Sequence, residues 1–363
     1  MSVPIFAARK SRRPFLIPCT KRQKLFSILT GQIHVVDDGF IWKPASTVGG
    51  QNALRHDPNL FFFRQPVSQH LCFGQINGDM RNPVPTWYFK GYYLQYIDGI
   101  PFKLKSTFDF SFMKEYGTVF KVYDDQDSGN ICFGTEKDGQ RYFVKFAGAP
   151  TEQYGGDPAD AISRLKATLP IYSDLKHENL IELIEAKEIG DGFAMVFKWA
   201  DGDCMGRMYP AAYRRFIQLP INDRLAVFSD ILSFLECVVS RNYVAIDFYD
   251  GSIMYDFVNG KTTICDIDLF RKQPCVNDMG HMWGNSRFQS PEEHQLGADI
   301  DEITNVYTLG ATAFALFGEY NRTREKWQLS DKLFEIATRA VSDDRANRQQ
   351  TIRQFTAEWE TAQ

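Results

Sequence analysis

The chain has 363 residues, 44% of them hydrophobic and 14% aromatic, which is enough to bury one or two sizeable cores. No apolar run reaches the roughly 18 to 20 residues needed to cross a bilayer, and the opening "MSVPIFAARKSRRPFLIPC" interrupts its short apolar start with basic residues. No secretory core forms there, so a soluble, cytoplasmic protein without a membrane partner is expected. A formal net charge of -4 argues against a nucleic-acid binder, because neutralising phosphates takes a basic surface.

The seven cysteines, at 19, 72, 132, 204, 237, 265 and 275, are scattered, with no C-x-x-C pair and no histidine at metal-ligand spacing. Reduced, mostly buried thiols are expected instead of a disulfide framework or a zinc site.

Residues 1–100 hold 12 Lys and Arg against 5 Asp and no Glu, whereas residues 101–363 hold 29 basic and 40 acidic residues. Eight of the sixteen prolines fall in the first hundred residues, among stretches such as "STVGGQN" and "RNPVPTW" with neither helical nor period-2 patterning. No fold is assigned to this basic extension. An arm for an acidic partner, a poorly ordered or irregular extension, and a segment that is not a natural domain all stay open.

From residue 101 the pattern becomes regular. "TVFKVYD", "NICFGTE" and "RYFVKF" are β-branched and aromatic runs, and "KDG" between the last two is a hairpin signal. Residues 158–175 predict a helix interrupted at Pro170. "LIELIEAKEI" and "GFAMVFKWA" read as strands around "GDG". "NDRLAVFSDILSFLECVVS" predicts a helix capped by Asn222, with Leu225, Phe228, Leu232, Leu235 and Val239 on one face. Strands first and helices after predict an α+β fold of two lobes, divided as 101–200 and 201–363.

Chemistry concentrates in "NYVAIDFYDGSIMYDFVNGKTTICDIDLF", residues 242–270, where carboxylates close short β-like runs. In chain order there is a loop before a strand, a lysine within a strand, a long helix, and then two carboxylates. Phosphoryl transfer from ATP needs a lysine for the phosphates, a carboxylate for Mg²⁺ and another to orient the acceptor hydroxyl.

Over about residues 115–360 these stretches resemble the protein kinase superfamily, most nearly a divergent bacterial-type Ser/Thr kinase. "YFVKF" is similar to the strand carrying the phosphate-binding lysine, here Lys145, and "LKHENLIEL" to the segment leading into the next strand. "MVFKWADGD" resembles the lobe-connecting hinge, with Phe197 as gatekeeper and Lys198 and Ala200 as nucleotide contacts. "AIDFYDGSIM" sits at the catalytic loop and "CDIDLF" at the metal motif, while "GNSRFQSPEE", "NVYTLGATAFALFG" and "DRANRQQTI" are similar to the end of the activation segment, the following buried helix and a late arginine motif.

The resemblance implies a two-lobed kinase-like fold that binds ATP and Mg²⁺ and phosphorylates Ser/Thr hydroxyls of protein substrates. Asp247 would orient the acceptor hydroxyl and Asp266 would hold Mg²⁺, joined by Ser252 as a neutral oxygen ligand and by Asp268. Glu292 and Arg348 would form a buried structural pair.

The departures are specific. "DDQDSGN" offers the phosphates only Gly129, among three aspartates. Thr168 stands where a helix glutamate would meet Lys145, and Asp160 is the nearest acid. Ala245 and Ile246 replace the histidine and arginine before the aspartate, Tyr249 replaces a lysine, Ser252 an asparagine and Asp268 a glycine; Asn305 replaces an aspartate whose role its amide can still fill. Without the arginine at 246, activity is expected to be independent of phosphorylation at Ser286 or Ser290. Two other functions stay open: a nucleotide-binding pseudokinase scaffold, and a small-molecule phosphotransferase of the aminoglycoside type, which shares the "D-x-x-x-G" of "DFYDGS".

Overall fold

Runs of β-branched and aromatic residues give way to helix-forming stretches past residue 200, and the computed structural model follows that order as a mixed α+β protein. It describes residues 91–207 and 209–363, and of the first ninety residues only the strands Phe15–Cys19, Lys24–Leu29, Gln32–Val36, Lys43–Pro44, Leu60–Arg64, Leu71–Asn77 and Val84–Phe89. Most of the basic extension, "STVGGQN" and the side chains of Cys19 and Cys72 lie outside the described residues.

The chain divides into two units, Met1–Ile131 with Ala149–Gly155, and Cys132–Gly148 with Gly156–Gln363. In the first, the three leading strands form one antiparallel sheet. The remaining four continue through Tyr92–Ile97 and Ile100–Leu104 into a second sheet, each strand pairing antiparallel with the next. Its last turn is Asp98-Gly99, both at positive φ as a two-residue hairpin demands. The Asp98 carboxylate accepts the Val119 N–H at 2.7 Å, at the start of the strand Thr118–Tyr123 expected from "TVFKVYD".

The second unit carries a sheet of β1 (Asn130–Lys137, whose first two residues belong to the first unit), β2 (Gln140–Ala147), β3 (Leu183–Ile189) and β4 (Gly192–Lys198), in the order β1-β2-β4-β3. Antiparallel pairing of β2 and β4 sets Lys145 opposite Met195. The "KDG" signal is the Asp138-Gly139 turn, again at positive φ. The interrupted helix becomes α1 (Pro158–Ala167) and α2 (Leu169–Asp174). Thr168 is the break, and Pro170 sits in the first turn of α2, where its missing N–H costs nothing.

Then come α3 (Pro210–Phe216), α4 (Ile221–Ser240), the hairpin β5 (Ile253–Asp256) and β6 (Lys261–Ile264), and the helices α5 (Glu302–Phe317), α6 (Asp331–Ala340) and α7 (Ile352–Ala362). The cap expected at Asn222 is absent. Pro220, extended at φ -49 and ψ 145, starts α4 without a side-chain cap. Its buried stripe is also broader than expected: Val227, Ile231, Phe234 and Val238 join Phe228, Leu232 and Leu235, because α4 meets neighbours on two sides. Aromatic rings fill that core, with Trp359 4.6 Å from Phe228 and stacked on Phe355 at 5.6 Å. The helix α5 is buried from Thr304 to Phe317. Gly310 lets it approach α6, since a Cβ there would lie 2.7 Å from that of Ala340.

Candidate active site

Two pairings build the site. Tyr243–Val244 pairs with Arg271–Lys272, and β5 pairs with β6, so the loops 245–252 and 265–270 run between the same two anchors. The Cys265 N–H donates to the Ser252 carbonyl at 2.8 Å and ties them again at the hairpin end. Beneath them Phe248 from one loop and Phe270 from the other both lie against Phe234 of α4, at 6.3 and 6.2 Å. One loop carries Asp247; the other carries Asp266 and Asp268.

Asp247 and Asp266 both adopt left-handed backbone, with φ of 59° and 56°. That region costs a non-glycine residue about 1 kcal/mol, least for Asp and Asn, and it persists only where surrounding structure fixes it. For the first loop the fixing group is Asn305 of α5. Its Oδ1 accepts the Ala245 N–H at 2.8 Å, and its Nδ2 donates to the Ala245 carbonyl at 2.8 Å. The aspartate that the resemblance would place at 305 could only accept, so the amide makes one bond more.

Lys145 reaches this pair of loops from β2. Its Nζ donates to Asp266 Oδ1 at 2.9 Å and to Asp268 Oδ2 at 2.6 Å. The lysine side chain is 12% exposed, that of Asp268 17% and that of Asp266 60%. Burial alone would lower the lysine's pKa. The Asp266 and then the Asp268 carboxylate overcome that and hold it well above its usual value, so Lys145 is charged. In return Lys145 keeps the Asp266 carboxyl below the usual range.

Burial, followed by the charges of Asp247 and Asp266, pushes the Tyr249 hydroxyl above its usual range. Tyr249 packs with Phe288 and therefore fills space where a lysine was expected from the resemblance. Gly284 approaches the site from the stretch that leads to Glu292. At φ 141° it lies where a Cβ would sit 3.3 Å from Asp247 Oδ1.

The remaining expected residues are placed as follows. Ser252 is buried and its hydroxyl donates to the Asp247 carbonyl at 3.5 Å, a fold contact inside the loop. Both oxygens of Asp268 are engaged, Oδ2 by Lys145 and Oδ1 by the Tyr172 hydroxyl at 2.9 Å. Thr168 is buried, its hydroxyl 2.8 Å from the Leu165 carbonyl and 3.2 Å from the Met195 sulfur, and Asp160 is exposed in the first turn of α1. Gly129 belongs to the first unit, at φ 83°.

Phe197 is buried, 5.0 Å from the Tyr172 ring. Beside it the Lys198 and Trp199 N–H groups are taken by the Glu182 and Arg141 carbonyls. Lys198 and Ala200 line a groove of about 720 Å³ with Leu175, His177, Trp199 and Asp256, and Lys145, Asp247 and Asp266 are not among its walls.

Glu292 and Arg348 meet as a buried bidentate pair at 2.7 and 3.0 Å. Sequence reasoning missed Arg345, which donates to the same Glu292 oxygen at 2.9 Å and grips Asp301 at 2.7 and 2.8 Å. The only signal was a second arginine in "DRANRQQTI". Tyr172 was also missed, and nothing in its local pattern marks it. Ser290 is fully buried in a capping box, donating to Glu293 Oε2 from N–H and hydroxyl at 2.7 and 2.9 Å, whereas Ser286 is exposed.

Among the described residues no three His, Cys, Asp or Glu side chains are grouped to hold a metal ion, and no helix is long and apolar enough to cross a membrane. The five described cysteines are free, and burial pushes the thiol of Cys132 up to about 12 and that of Cys204 to about 11. No protein-family model matches the chain.

Proposed function

We propose that the second unit is a divergent, two-lobed kinase-like fold that transfers the terminal phosphoryl group of ATP, with Mg²⁺, to Ser or Thr hydroxyls of a protein substrate. The observation that carries this reading is the convergence of Lys145 on Asp266 at 2.9 Å, on a loop anchored beside the one that bears Asp247. A charged lysine between strands is suited to phosphate oxygens, and a carboxylate 60% exposed with one oxygen on lysine suits a hard cation. Mg²⁺, when bound, would neutralise phosphate charge; Asp266, 60% exposed, is the carboxylate best placed to hold it, since both oxygens of Asp268 already accept hydrogen bonds, and Ser252 could add a neutral oxygen.

Asp247 is the group to orient and accept the acceptor proton. Gly284 beside it leaves backbone, without a side chain, next to that carboxylate. The hinge would meet the base through the Lys198 carbonyl and the Ala200 N–H, since the Lys198 and Trp199 N–H groups are committed. A braced segment from Gly284 to Glu292 favours a protein acceptor over a small molecule. Ser290 is sealed, so phosphorylation there is not the switch.

The test is to incubate the full chain with Mg²⁺ and labelled ATP, alone, with generic protein acceptors and with an aminoglycoside panel. Label on protein should fall about 100-fold or more in Asp247→Ala and in Asp266→Ala. Nucleotide binding without transfer would replace this reading by a scaffold, and label on an aminoglycoside by a small-molecule phosphotransferase.

A further inference from the structure

The strand lysine of the resembled family takes its counter-ion from a helix, and here the corresponding helices offer none. Thr168 faces sulfur and carbonyl, and Asp160 is exposed at the far end of α1. Lys145 nevertheless has a second carboxylate within 2.6 Å, two residues past Asp266. That carboxylate is held from behind: Tyr172, itself buried on α2 and packed on Phe197, donates to its other oxygen at 2.9 Å. Burial and the nearby Asp268 charge keep this phenol protonated, so it has a hydrogen to donate to the carboxylate.

We propose that Asp268, oriented by Tyr172, is the standing counter-ion of Lys145, so that the loop bearing Asp266 positions the lysine in place of an acid on α1. This makes Asp268 and Tyr172 positioning residues. It gives the extra carboxylate of "DID" a purpose other than metal binding, and it deepens the phosphoryl-transfer reading, on which its nucleotide arm rests. It also means that displacement of α1 leaves the lysine paired, so the site lacks a switch worked by removing a helix carboxylate.

The experiment has two arms on the full chain. In the first, which is independent of any enzymatic activity, Lys145 is acetylated with an N-hydroxysuccinimide ester at one fixed pH and followed by mass spectrometry. Loss of a hydrogen bond to a charged group should speed labelling of Lys145 about tenfold in Asp268→Asn and about fivefold in Tyr172→Phe, with the two not additive. Unchanged labelling in Tyr172→Phe, which keeps the ring packing, and in Asp268→Asn overturns the proposal. If Asp268→Asn fails to fold, the milder variant alone decides.

In the second arm, ADP affinity is measured in EDTA and across a Mg²⁺ titration. Positioning predicts weaker metal-free binding with the Mg²⁺ half-saturation point unmoved. A shift in half-saturation with metal-free binding intact marks Asp268 as a metal ligand and overturns the proposal. Failure of the wild type to bind nucleotide removes the phosphoryl-transfer reading and leaves the labelling result standing.

Discussion

Two ionic clusters in the second unit are inverses of one another. At the candidate active site one cation, Lys145, is shared by two carboxylates, and Asp266 remains 60% exposed. Near residue 292 one carboxylate, Glu292, is shared by two guanidiniums, and Asp301 occupies the outer face of Arg345. The second cluster balances its charges around the buried Glu292 and Arg348, with Arg345 and Asp301 at a partly exposed rim; the first carries net negative charge and an open oxygen. A closed network of this kind holds a chain segment in place, whereas an open one with surplus charge is suited to receive a cation or a charged ligand.

Removing one partner is the hardest blow to this contrast. Arg348→Ala strands a buried carboxylate, and chemical denaturation should show a loss of about 3–5 kcal/mol; a loss below about 1 kcal/mol would show that Arg345 alone suffices.

The neighbouring glutamate sharpens the comparison through pH. Burial pushes Glu293 up to about 7, because it faces serine donors and no cation of its own, whereas for Glu292 the Arg348 guanidinium overcomes burial and holds the carboxyl below its usual value. A carboxyl raised in the folded state binds more protons there than when unfolded, so its contribution is present below about pH 4.5 and is lost as pH rises to about 7. Glu293→Gln should therefore gain stability relative to the wild type between pH 5 and pH 8, by up to about 3 kcal/mol. A pH-independent difference would contradict the assignment. Smallest is Arg345→Met, which removes a partly exposed guanidinium while Arg348 keeps Glu292 paired; a loss near 1 kcal/mol in the same measurement is expected.

Much of this was legible in order and spacing. The strand around Lys145, the paired loops with Asp247 and Asp266, the buried helix with Asn305 and the glutamate-arginine pair each appear where short motifs placed them. What was not legible is what depends on side-chain direction across elements. Asp268 read as a metal carboxylate in preference to a strand-end residue, and only the Tyr172 hydroxyl, ninety-six positions away, together with Lys145 Nζ shows where its two oxygens point. Ser252 has the chemistry of a ligand, yet the tight Tyr249–Ser252 turn folds its hydroxyl back on the Asp247 carbonyl. The α4 stripe was misjudged because a helix flanked on two sides buries more than one face.

A short hairpin turns between Asp256 and Lys261. Strand pairing, and not the count of intervening residues, brings the two acid-bearing loops side by side. The tip of that hairpin leaves Val258 almost wholly open to water, so changes of length there that keep the Asp256 carboxylate on the Val258 and Asn259 N–H groups, at 2.8 and 3.2 Å, should leave the two loops paired.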